Sequence, residues 1–97
     1  MIVNSGHRTT SIEGLVLDEN GIPMEKVDVI LVGTTVERKT SEYGGFEIKN
    51  LKNSVYKLMF KKTGYLDMEV EVAVTATMRT EIEVSMERDV NQDLRVA

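Results

Sequence analysis

The chain is 97 residues long and carries 12 Lys and Arg against 16 Asp and Glu, a formal net charge of −4. That length suits one small core, and the acidic balance repels phosphate backbones, which argues against general nucleic-acid binding. With no Cys and a single histidine, His7, the sequence holds no disulfide framework and no thiolate; zinc would find a poor ligand set, and a hydrolytic triad no partners to hold its one imidazole.

Val, Ile and Thr number 28 against three Ala. Branched side chains lose rotamer freedom in a helix and suit a pleated surface, so the composition is that of an all-β domain. The longest aliphatic run, Val29-Ile30-Leu31-Val32, is far short of the roughly 20 residues of a membrane helix. No charged start leads into an apolar stretch, so no signal peptide is read in this chain.

Residues 1–9 lack periodicity and read as a flexible leader. The first strand runs over Ser11–Asp18, with Ile12, Gly14 and Val16 alternating against Glu13, Leu15 and Leu17, and it ends in the Asn20-Gly21 turn. Pro23 follows where a missing N–H does no harm, and Val27, Val29 and Leu31 mark the inward face of the second strand. The third, residues 36–40, is short and charged, as a protected sheet edge should be. Gly44-Gly45 turns the chain into a fourth strand with Phe46 and Ile48 inward, and Asn53-Ser54 leads to a fifth with Tyr56, Leu58 and Phe60 inward. Met68, Val70, Val72 and Val74 oppose Asp67, Glu69 and Glu71 in the sixth, and Met78, Ile82, Val84 and Met86 oppose Arg79, Glu81, Glu83 and Glu87 in the seventh. Residues 10–88 form the domain, 89–97 a tail or linker. Seven strands at this spacing predict an all-β, seven-stranded antiparallel Greek-key β-sandwich.

Several motifs line up in order: Ile12-x-Gly14-x-Val16-x-Asp18-x-Asn20-Gly21-x-Pro23, Val27-x-Val29-x-Leu31-x-Gly33-Thr34, Thr40-x-x-x-Gly44-x-Phe46, Leu51, Tyr56-x-Leu58 and Gly64-Tyr65. Over residues 10–88 this pattern resembles the carboxypeptidase regulatory-like domain. Ser41 stands where that family often has Asp, and Ser54 where it often has Gly. The resemblance implies a prealbumin-like (transthyretin-like) sandwich without an active site or cofactor, of the kind that follows metallocarboxypeptidase domains or serves in bacterial surface proteins and outer-membrane receptors. It implies an extracytoplasmic setting: periplasm, outer membrane or cell surface. The hydroxyisourate hydrolases share this sandwich, but their site resembles a histidine pair, which one histidine cannot supply.

The function read from this is a non-catalytic accessory or interaction module of an extracytoplasmic bacterial protein. Its alternative is a domain that binds a glycan or peptide through end loops, with Tyr43 and Tyr65 as stacking residues. Three surface features accompany it. If the last two strands form a hairpin around residues 75–77, Glu71 faces Glu81 and Glu69 faces Glu83, four carboxylates on one face; salt and neighbouring cations, a calcium ion or a basic partner would each relieve them. Lys49, Lys52, Lys57, Lys61 and Lys62 form a run without an acid. Leu15, Leu17, Ile30 and Val32 make the first two strands apolar on both faces, a patch for a neighbouring domain, a second copy, or the chain's own leader or tail. Asp18-Glu19-Asn20-Gly21 lacks the later acidic ligands of a calcium loop and reads as a turn.

Overall fold

The computed structural model describes residues 10–75 and 79–90. The leader with His7, the 76–78 part of the expected hairpin loop and residues 91–97 lie outside the described residues. Seven strands follow in order, β1 (Thr10–Leu17), β2 (Asp28–Leu31), β3 (Glu37–Lys39), β4 (Gly45–Leu51), β5 (Ser54–Lys61), β6 (Met68–Val74) and β7 (Thr80–Ser85). They build two sheets, β4-β1-β7 and β3-β2-β5-β6, packed face to face.

The two-residue period decides which side chains fill the space between the sheets. Ile12, Val16, Phe46, Ile48 and Val84 come from the three-stranded sheet, and Val29, Leu31, Leu58, Phe60, Val72 and Val74 from the four-stranded one; all are buried. Tyr56 and Tyr65 pack against this core without being enclosed by it. The Tyr56 hydroxyl accepts from Lys52 N–H at 3.1 Å and donates to Lys52 C=O at 2.8 Å, closing the turn by which the chain passes from β4 to β5.

Four of the five strand pairings are antiparallel, as the sequence suggests, but β7 lies parallel to β1, with Ile12 opposite Thr80 and Leu17 opposite Ser85. The expected β6–β7 hairpin does not form. Instead β6 pairs with β5, Val70 lying opposite Leu58 and Glu71 opposite Lys57, and the chain then crosses to the other sheet. Alternation fixes which face a strand buries but is blind to the strand beside it.

An aromatic pair spans the sandwich. Phe46 on β4 and Phe60 on β5 meet edge to face, ring centroids 5.7 Å apart at 65°, an arrangement worth about 0.5–1.5 kcal/mol beyond the area it buries. Gly14, opposite Phe46 in the β1–β4 ladder, makes room for that ring, because a Cβ there would stand 2.2 Å from Phe46 Cε1 and 2.3 Å from Cζ. Gly14→Ala should therefore lower stability by about 1–3 kcal/mol, the usual cost of overpacking, measured by urea unfolding. In the Phe46→Leu background the same change should cost distinctly less.

Candidate functional site

The strands bring four segments to one end of the sandwich: the β1–β2 loop (18–27), the β3–β4 turn (40–44), the β5–β6 loop (62–67) and the exit from β7 (86–90). Their backbone is held by specific polar groups. Asp18 Oδ1 accepts from the N–H groups of Asn20 and Ile22 at 2.8 and 2.9 Å, which fixes the first turn. The buried Thr40 hydroxyl accepts from Val27 N–H at 2.9 Å and donates to Met24 C=O at 2.6 Å, while Thr40 N–H and C=O bond Val27 and Lys26. Gly44 sits at φ +80°, where a side chain would stand 2.7 Å from Val16 C=O, so only glycine passes between these two loops. Ser41 Oγ accepts from Tyr43 and Gly45 N–H at 3.2 and 3.3 Å and so holds the turn without the Asp that the resemblance leads one to expect. On the other side Leu66 N–H donates to Glu87 C=O and Asp89 N–H to Gly64 C=O.

On this frame each segment raises one large apolar side chain into solvent: Ile22 at 57% exposure, Tyr43 at 73%, Leu66 at 48% and Val90 at 61%. Beside Leu66 and Tyr65 lies an open depression of about 610 Å³, also lined by Asp28, Lys61, Asp67 and Asp89. Its charges are largely matched within or beside it. Lys61 pairs with Asp67 at 3.6 Å, Lys39 with Asp28, and Lys62 donates to Glu25 C=O. Hydrogen bonding to Asp28 and its negative charge raise the Lys39 ammonium above the ordinary lysine value of 10.5.

The predicted site residues are distributed differently. Tyr43 and Tyr65 do reach the same end, Tyr43 exposed and Tyr65 half-buried against the core, but Tyr43 does not line the depression that Tyr65 lines. The four-carboxylate face is not formed: Glu69 and Glu71 stand on one sheet, Glu81 and Glu83 on the other. Lys57 meets Glu69 at 3.7 Å and Arg79 bridges Glu81 and Glu13, so no calcium face arises there, and among the described residues no acidic cluster has the geometry of a metal site. The single patch of Leu15, Leu17, Ile30 and Val32 is likewise divided. Leu15 and Leu17 lie on the outer face of β1 in one sheet, whereas Ile30 belongs to β2 in the other and Val32 follows it; the first three are half-buried, and Val32 is exposed. Ile22 and Leu66 were not singled out by the sequence, although both stand within two residues of a turn glycine, Gly21 or Gly64; Val90 was read only as a tail residue that could fold back over the apolar patch, and it is 61% exposed.

Comparison with known proteins agrees with this fold. The profile of the carboxypeptidase regulatory-like domain matches residues 11–87. A chain of a type II Cohesin-X-Dockerin complex from Acetivibrio cellulolyticus is 26% identical with a TM-score of 0.69, over 81% of this chain and 58% of that one. The major pilin subunit of Bacillus cereus is similar at 16% identity and TM-score 0.71, over 84% and 29%. A 3-chlorocatechol 1,2-dioxygenase from Rhodococcus opacus is similar at 12% and 0.66, over 84% and 60%. The last two likenesses are of fold alone. This chain spans less than two thirds of each of these proteins. No curated protein matches the sequence.

Two outcomes test the frame. Thr40→Val strands Val27 N–H and Met24 C=O in a buried site and should cost about 2–4 kcal/mol in denaturant unfolding, while Thr40→Ser should keep most of that stability. Because the Lys39 pKa is raised in the fold, the stability it contributes is complete below 10.5 and is lost as pH climbs through the raised value. Asp28→Asn should flatten that alkaline decline in thermal unfolding.

Proposed function

The chain belongs to the carboxypeptidase regulatory-like domain family, and we propose that it is a non-catalytic accessory module that makes protein contacts through the loop end of its sandwich. The observation that carries this reading is the set Ile22, Tyr43, Leu66 and Val90, one exposed apolar side chain from each of four segments at one end. A hydrogen-bonded backbone beneath them keeps down the entropy lost on binding, and apolar tips on a rigid frame suit protein contact. The polar motif residues Asp18, Thr40 and Tyr56 are engaged with backbone groups, which makes them parts of the frame.

The partner is a neighbouring domain of a longer protein, and the setting is extracytoplasmic. The partial span of the solved chains supports the first, and the likeness to a Cohesin-X-Dockerin chain and a pilin subunit supports the second. Residues of the same end would equally meet a peptide or glycan laid across Tyr43, and one experiment separates the two. The native gene product is fractionated and its amide exchange compared with that of the isolated 97-residue chain. The expected result is a larger, membrane- or surface-associated species in which residues 20–24, 42–44, 64–66 and 88–90 exchange more slowly than in the isolated chain. Equal exchange in the two, or a soluble product of 10.9 kDa, would overturn the reading.

A further inference from the structure

We propose that the outer edge of β7 is a strand-addition site for an extended segment of another polypeptide in which apolar residues alternate with Lys or Arg. This edge is distinct from the loop end and does not depend on what binds there.

Backbone accounting comes first. Met86 N–H donates to Leu17 C=O, toward β1, while Glu87 C=O and Asp89 N–H turn the other way, to Leu66 and Gly64. Main-chain groups alternate sides along a strand, so those of Glu81, Glu83 and Ser85 point away from β1. Among the described residues no strand pairs with that side of β7. Residues 64–66 occupy the adjoining lane for a single antiparallel bridge, Tyr65 with Arg88, after which the chain joins the other sheet as β6. Among the described residues the lane alongside Glu81–Ser85 is therefore begun and then abandoned.

Packing points the same way. Three strands face four, and inward-facing Met68 and Val70 of β6 and Ile82 of β7 are only partly buried. A fourth strand beside β7 would even the layers and cover these side chains with its own apolar positions. Charge then selects the occupant. Glu81 and Glu83 project on the outer face of β7; Arg79 is shared between Glu81 and Glu13, and Glu83 has no ion pair among the described residues. A second copy adding its own β7 would set glutamate beside glutamate, whereas Lys or Arg at alternate positions would meet both. β3, three residues long and charged throughout, is a protected edge by comparison.

The probe is the peptide Lys-Val-Lys-Ile-Lys-Val with a fluorophore, titrated by anisotropy into the full chain, with amide exchange followed by NMR. Binding with slowed exchange at Glu81, Glu83 and Ser85 is expected. An E81K/E83K variant of unchanged circular dichroism should bind about tenfold more weakly. The same peptide N-methylated at alternate residues keeps its charge, loses its main-chain donors and should not bind. Equal affinity of the methylated peptide, protection centred elsewhere, or absence of binding at low salt would overturn the proposal, as would self-association of the chain through this edge.

Discussion

The sandwich depends on a missing methyl group. Because position 14 is glycine, the Phe46 ring can lie across the backbone of β1 and still reach Phe60 on the opposite sheet. Two sheets joined by short loops have many ways to slide over one another, and a large ring seated in a slot of fixed depth selects one of them. β1 is the middle strand of its sheet, with β4 and β7 on either side, so the position of that ring is passed to the whole three-stranded layer. Phe60 sits in β5, between β2 and β6, and does the same for the other layer.

The loop end inherits this order. Thr40 ties the β3–β4 turn to the β1–β2 loop through its hydroxyl and both main-chain groups, and Gly44 lets the two loops approach to a distance that a side chain would forbid. Loops held in this way behave as extensions of the sheets. The apolar tips they carry then keep their spacing, which is what a surface needs if it is to meet a partner without first being organised by it. Stability and presentation draw on the same few hydrogen bonds.

Much of the fold was legible in the residues because burial on one face imposes a period of two. All seven strands and the inward sides of Ile12, Val16, Val29, Leu31, Phe46, Leu58, Phe60 and Val84 follow from alternation, and the family pattern fixed the turns at Gly21, Gly44 and Gly64. Pairing was less legible. Strands adjacent in sequence usually neighbour one another, yet β6 and β7 separate onto different sheets, and the partner of β7 is the strand farthest from it along the chain. That single misassignment created the carboxylate face. The apolar outer positions of β1 and β2 were read as one patch for a related reason, since periodicity cannot say that the two strands belong to opposite layers. Tyr43 was visible as an exposed loop aromatic, whereas Ile22 and Leu66 resemble ordinary loop residues until the topology gathers their loops at one end.

The parallel pairing of β1 and β7 also sets how the domain would carry a pull along its chain. Tension applied at the start of β1 and the end of β7 enters at opposite ends of two neighbouring strands running in the same direction. It loads the whole ladder from Ile12–Thr80 to Leu17–Ser85 sideways and at once, so that its bonds must yield together. An antiparallel hairpin pulled from its two free ends would instead peel open bond by bond. A sandwich paired in this way would stay shut under a load applied at those two points.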